Sequence, residues 1–226
     1  MNFQYPFAFS FRDAPGFARF HALPEHAELL ALLRGFAEGE QHFCFLWGVP
    51  GSGKTHLLQA LAHDSETAIY LPLRQLQPWG PACLDGLEQS PFLVLDDVDA
   101  VAGDAAWEEA LLRLFIAQQA AGGRLCMAAA HNPQSIGIGL KDLQSRLQLA
   151  LVYEVKPLDD AARQQVLAAR ALERGIELKP EVAAFLLARS PRGMEELLAT
   201  LEQLDTLSLA EKRRITIPFI KERFGW

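Results

Sequence analysis

The run Gly48-Val49-Pro50-Gly51-Ser52-Gly53-Lys54-Thr55 constrains this chain more than any other stretch. Its spacing, G-x-x-x-x-G-K-T, is that of a phosphate-binding P-loop. Glycines let the backbone curl so that several N–H groups face one anion. A helix that starts at the loop's end adds its positive pole. Lys54 is then placed to reach the β- and γ-phosphates, and the Thr55 hydroxyl to ligate Mg2+. The flanks suit the motif. Phe43–Trp47 before it is an unbroken apolar run, as a fully buried parallel strand requires, and residues 55–62 after it have helical periodicity.

A second signature follows at Phe92-Leu93-Val94-Leu95-Asp96-Asp97, a buried apolar strand that ends in acids. Asp96 is placed to hold the Mg2+ shell, as a Walker-B carboxylate does, and Asp97 to orient or polarise an attacking water. The plainer reading is a strand that closes in a polar turn of Asp96, Asp97 and Asp99. The P-loop upstream favours the first.

Three further apolar runs read as strands: residues 68–71, 124–130 and 151–155. Helices are expected near 25–35, over 106–119, where Trp107, Leu111, Leu114 and Phe115 share a face, and over 140–147. A short helix is expected near 83–88. Strands alternating with helices predict an α/β fold with a parallel five-stranded sheet. At the carboxyl end of the fourth strand stand Ala130, His131, Asn132 and Pro133. Open α/β sheets place ligands there, so His131 or Asn132 could sense a γ-phosphate, but Asn-Pro is equally an ordinary turn.

From Asp159 the texture becomes all-helical. Asp159 is a candidate N-cap for a helix that Gly175 stops, Pro180 opens a second, residues 194–207 form a third, and Thr216 caps a fourth with Pro218 in its first turn. The expected organisation is therefore an extended peptide at 1–11, a nucleotide-binding α/β domain at 12–156 and a helical lid at 157–226.

Composition narrows the function classes. The chain has 226 residues, 50% hydrophobic and 22% charged, with net charge −7, so no overall basic field draws nucleic acid. No apolar run is long enough for a membrane span and no signal-peptide pattern opens the chain. Cys44, Cys83 and Cys126 are widely spaced, and Cys44 and Cys126 lie inside apolar runs, so buried free thiols and a cytoplasmic location are expected. The six histidines form no metal-like cluster with Cys or Asp.

At the start, Gln4 precedes Tyr5, Phe7, Phe9 and Phe11, which alternate with small residues. Alternation argues an extended segment with one apolar face. Such a segment either docks on its own domain or is offered to a partner's groove.

The P-loop, Asp96-Asp97, the polar post-strand site, Ser145-Arg146-Leu147 and Pro191-Arg192-Gly193-Met194 occur in an order that resembles the AAA+ ATPases, and within them the DnaA-related proteins. The double Asp is DnaA-like. More narrowly, the run Leu95-Asp96-Asp97-Val98-Asp99-Ala100-Val101-Ala102-Gly103 with Trp107-Glu108-Glu109-Ala110-Leu111, and the tail Arg213-Arg214-Ile215-Thr216-Ile217-Pro218-Phe219, are similar to the Hda family of DnaA regulators. The resemblance implies ADP or ATP with Mg2+ as cofactors, held by Gly48, Pro50, Gly51, Ser52, Gly53, Lys54, Thr55, His56 and Arg192, with Thr55 and Asp96 toward the metal. It implies that Arg146 acts as an arginine finger on ATP held by DnaA, with Asp97 as the chain's own catalytic carboxylate. It implies the replicative sliding clamp (the polymerase beta subunit) as a second partner, bound by Gln4, Tyr5, Phe7 and Phe9, where aromatics replace the family's leucines. Ala130 falls where DnaA-like proteins keep a polar residue, which passes that sensor role to His131 or Asn132.

Ending at Trp226 straight after the lobe, the chain is expected to lack DnaA's DNA-binding domain, and so to make no direct sequence-specific DNA contact and no membrane contact. Self-assembly into a homo-oligomer stays open. Two functions compete. One is a regulator of replication initiation that links DnaA to the clamp and stimulates hydrolysis of DnaA-bound ATP, with weak turnover of its own. The other is an autonomous motor of the helicase or clamp-loader type.

Overall fold

The computed structural model describes residues 16–17, 27–190 and 193–226. Elements run α1 (Ala27–Glu38), β1 (Phe43–Trp47), α2 (Lys54–His63), β2 (Ala68–Pro72), α3 (Leu73–Leu76), β3 (Phe92–Asp96), α4 (Ala105–Ala121), β4 (Arg124–Ala129), α5 (Lys141–Leu149), β5 (Leu151–Glu154), α6 (Asp160–Glu173), α7 (Pro180–Arg189), α8 (Met194–Glu211) and α9 (Ile217–Phe224). The described residues fall into two compact units. One holds Lys54–Glu154 with the described residues that precede Gly48; the other holds Gly48–Gly53 with the described residues from Val155 to Trp226.

The first unit is built on a five-stranded parallel sheet of order β2-β3-β4-β1-β5. The middle strands are apolar at nearly every position because helices cover both faces. All five residues of β3 are buried, whereas the edge strand β5 is half exposed. Register aligns the carboxyl ends: Trp47 pairs with Ala129, Leu95 with Met127, and Pro72 with Asp96. Residues that follow these strands therefore emerge along one edge. The core on one face gathers Phe45, Leu93, Leu95, Trp107, Leu111, Leu114, Met127 and Leu147, and Phe43 stacks on Phe115 at 4.3 Å between ring centres. Cys44, Cys83 and Cys126 are buried free thiols.

Local chemistry explains the element ends. The Asp104 carboxylate accepts the Ala106 and Trp107 N–H groups at the start of α4, and Gly122, left-handed at φ 65°, ends it. Two sequence expectations shift. The helix expected near 83–88 is instead two 3-10 turns, Pro81–Leu84 and Leu87–Gln89, broken by Gly86 at φ 88°. The third strand stops at Asp96, because Asp97 leaves the extended region for φ 54°, ψ 47°.

The helical unit closes on its own core of Leu167, Leu186, Leu197, Leu201, Leu204, Phe219 and Ile220. Its caps follow the sequence: Asp159 accepts the Ala162 N–H, Pro180 opens α7, and Thr216 accepts the Phe219 N–H. Helix α8 outruns the expected 194–207 by four residues and ends at left-handed Lys212, φ 51°. Among the described residues no helix is long and apolar enough to cross a membrane.

Candidate functional site

The loop after β1 carries two positive-φ glycines, Gly51 at φ 80° and Gly53 at φ 94°. Only glycine holds those angles without strain, and they turn successive N–H groups toward one side. Gly48 is required for a different reason. A Cβ there would lie 2.3 Å from the Val155 carbonyl oxygen. Ser52 is buried and its N–H donates to the Val49 carbonyl at 3.2 Å. Val49 and Pro50 are exposed on the turn.

Within the sheet unit, Lys54 and Thr55 open α2, and His56 follows half-buried in its first turn. Burial pushes the Lys54 ammonium's pKa down, while Asp96, Asp99 and Asp97 pull it back up. Asp96 is 2% exposed. Burial pushes its carboxyl up; hydrogen bonds from Thr55 and Tyr70 oppose that, and Asp97 reinforces it. The Tyr70 hydroxyl donates to Asp96 Oδ2 at 2.8 Å and the Asp97 N–H to Oδ1 at 2.9 Å. Tyr70 itself titrates well above its ordinary value, chiefly through burial and then through the Asp96 charge, with a hydrogen bond from Gln59 acting the other way. Thr55 hydroxyl and Asp96 carboxylate thus form a hydrogen-bonded all-oxygen pair beside a cation. That donor set fits Mg2+, which takes few protein oxygens and keeps waters and phosphate oxygens for the rest of its shell.

Asp97 points elsewhere. Arg74, just past β2, grips it with Nε to Oδ2 at 3.2 Å and Nη2 to Oδ1 at 3.4 Å, and reaches Asp99 Oδ2 at 3.5 Å. The pair is solvent-facing, Arg74 60% and Asp97 37% exposed. Asp99 Oδ1 also accepts the Ala130 N–H at 3.0 Å, which ties the end of β4 to the turn after β3. Of the other residues at that strand end, His131 is exposed, and Asn132 accepts the Gln134 N–H at 3.0 Å, the bond of an Asx turn.

Arg146 lies on α5. Its Nη1 donates to Gln119 Oε1 at 2.8 Å and its Nε to Asp142 Oδ1 at 3.2 Å, with 27% of the side chain exposed. The guanidinium is held on the surface of its own unit with donors to spare. Arg192 and the four residues Gln4, Tyr5, Phe7 and Phe9 lie outside the described residues.

Sequence reasoning missed Tyr70, Arg74 and Glu108. Tyr70 and Arg74 had a faint signal: a phenol inside an apolar strand and an Arg directly after it, before the strand that carries the acids. Glu108 had less. It sits in the first turn of α4, yet it is 2% exposed and binds backbone of another segment.

The comparisons with known proteins fall in with this geometry. Residues 160–224 match the family model for the Hda lid domain. A Haemophilus influenzae protein described as uncharacterized is 36% identical over 227 residues, 98% of each chain. Domain III of the replication initiation protein DnaA of Thermotoga maritima superposes with a TM-score of 0.78 at 20% identity, covering 91% of this chain and 93% of that one. AMPPCP-bound DnaA of Aquifex aeolicus gives 0.71 at 21% identity, covering 84% of this chain and 64% of that one. The Hda lid together with the fold shared with the two DnaA structures gives the family: the chain belongs to the Hda/DnaA-related AAA+ proteins.

Proposed function

We propose that this protein binds ADP or ATP with Mg2+ and regulates replication initiation by bringing DnaA to the DNA-loaded sliding clamp and stimulating hydrolysis of DnaA-bound ATP. The observation that carries the reading is the Hda-type lid at 160–224 in a chain that also keeps an intact P-loop. The AMPPCP on the Aquifex aeolicus DnaA, whose fold this chain shares, supports nucleotide at the loop.

In this reading the loop's backbone N–H groups around Gly51 and Gly53 cradle the phosphates, Lys54 neutralises them, and Thr55 and Asp96 meet the Mg2+. The metal would supply charge neutralisation to the phosphates. His56 sits beside the phosphates in the first turn of α2, and Arg192 reads them from the lid. Residues 1–11 serve as the clamp-docking peptide through Gln4, Tyr5, Phe7 and Phe9. The nucleotide-binding domain is 12–156 and the lid 157–226. Arg146 works in trans. A guanidinium beside a transferring γ-phosphate spreads the developing charge and is worth about 10³–10⁵ in rate. The chain's own turnover is slow because Asp97 is tied to Arg74.

The test is hydrolysis of labelled ATP preloaded on DnaA, with clamp on DNA, after addition of wild type, Arg146→Ala or a form without residues 1–10. The reading expects acceleration by wild type alone. A wild-type protein that leaves DnaA-bound ATP untouched, but whose own ATPase responds to DNA, would make the autonomous motor the better account.

A further inference from the structure

Helix α5, which carries Arg146, has no N-cap side chain of its own. Its N-cap residue is Leu140, with φ −77° and no side-chain hydrogen bond. The cap comes instead from Glu108 on α4. The Glu108 carboxylate is buried and accepts four backbone contacts: from Gly103 N–H to Oε1 at 2.8 Å, from Gly139 N–H to Oε1 at 3.0 Å and Oε2 at 3.1 Å, and from Leu140 N–H to Oε2 at 2.7 Å. A buried negative charge at a helix start satisfies orphan N–H groups and meets the positive pole. Gln119, the acceptor for Arg146 Nη1, stands on the same helix. Glu108 and Gln119 are eleven positions apart, about three turns, and so lie on one face of α4. Helix α4 therefore grips α5 at its start and again at Arg146.

We propose that Glu108 is the positioning residue for Arg146: by pinning the backbone at Gly139 and Leu140 it sets where α5 presents the guanidinium to the partner's nucleotide. This rests on the in-trans reading of Arg146 above. The lever is short and sensitive. Arg146 is six residues beyond Leu140, about 9 Å along the axis, so a tilt of about 6° moves it by about 1 Å. A displacement of that size at a reacting group costs up to about a hundredfold in rate.

The experiment titrates the protein against DnaA preloaded with labelled ATP on clamp-loaded DNA, comparing wild type, Arg146→Ala, Glu108→Gln and Leu140→Pro. Glu108→Gln keeps the side chain's shape but replaces one acceptor oxygen with a donor that faces N–H groups. Leu140→Pro removes one N–H at a φ that proline adopts and leaves Glu108 in place. The readouts are the rate at saturation, the half-saturating concentration, and ADP affinity. Glu108→Gln is expected to lower the saturating rate about tenfold to a hundredfold, with the half-saturating concentration and ADP affinity within about twofold of wild type. Leu140→Pro is expected to lower the same rate by less. A merely structural role gives another pattern: a smaller folded fraction raises the concentration needed but leaves the rate at saturation intact. If Glu108→Gln does not fold, Leu140→Pro decides alone by the same criterion. Arg146→Ala inactive with Glu108→Gln and Leu140→Pro at wild-type saturating rate overturns the positioning role only. Arg146→Ala fully active overturns the finger reading and this inference with it.

Discussion

Replacing Tyr70 with Phe removes a hydrogen-bond donor from the buried acid. The ring stays, so apolar burial is unchanged; what is lost is the hydroxyl's bond to Asp96 Oδ2 at 2.8 Å and its bond with the neutral Gln59 amide, which does not vary with pH. A bond to a charged acceptor contributes about 1.5–3 kcal/mol. Asp96 retains its bonds from Thr55 and from the Asp97 N–H, so the net cost at neutral pH is about 1–2 kcal/mol, or a melting point lower by roughly 2–8 °C for a chain of this size. The pH dependence has a definite sign. Burial raises the folded-state pKa of Asp96 above its ordinary value. As pH climbs from acid, the unfolded chain ionises first, so this group's contribution to stability falls through the window between its ordinary and its folded pKa, and is level above that. The Tyr70 bond favours the carboxylate and limits the fall; without it the window reaches higher and the fall is deeper. In acid, where Asp96 is protonated in both states, the bond is to a neutral carboxyl and about half as strong. Thermal melts of both proteins across about pH 4 to 8 should therefore show a gap that widens as pH rises and then levels. A gap of constant size at every pH, or none at pH 7, refutes the argument that Tyr70 acts on the charge of Asp96.

Three other substitutions separate the parts of the site. Lys54→Met should weaken binding of a fluorescent adenine nucleotide by about a hundredfold, the worth of one strong charge-assisted hydrogen bond, while the melting point of the nucleotide-free protein changes little. Gly48→Ala puts a Cβ 2.3 Å from the Val155 carbonyl oxygen, so denaturant titration should show a loss of about 1–3 kcal/mol before any nucleotide is added. Arg74→Ala breaks a solvent-facing pair, so stability should change by less than about 1 kcal/mol, yet it frees Asp97, and single-turnover hydrolysis by this protein should rise while nucleotide affinity holds. A drop in affinity without a change in turnover counts against Asp97 as the carboxylate that polarises the attacking water.

The elements that sequence revealed are those encoded locally. The P-loop, Asp96, and the caps at Asp159, Pro180 and Thr216 depend on spacing within a few residues, and the structure has each cap where spacing put it. What stayed hidden depends on register. Tyr70 pairs with Val94 across the β2–β3 ladder, and since side chains alternate faces, its hydroxyl meets Asp96 two residues on. Arg74 reaches Asp97 because Pro72 pairs with Asp96, which no reading of either strand alone contains. Glu108 was hidden by a different effect. An acid in a helix's first turn is accounted for by its own helix's dipole, so nothing marks it as the cap of another helix 32 residues away.

Asp96, Asp97 and Asp99 occupy four positions of chain and three unlike environments. Asp96 ends a strand, is buried, and is supplied with donors that oppose the upward push of burial on its carboxyl. Asp97 adopts a left-handed backbone, φ 54°, a conformation that costs a non-glycine residue about 1 kcal/mol or more, and the turn aims its side chain at Arg74 in solvent. Asp99 uses one oxygen on the Ala130 N–H and so fixes the end of the neighbouring strand. Like charges this close divide roles when surroundings separate them. The divergence begins at the backbone: had β3 continued extended through Asp97, that side chain would have alternated to the opposite face of the sheet from Asp96. The strained residue thus turns the second acid away from the first and toward Arg74 in solvent.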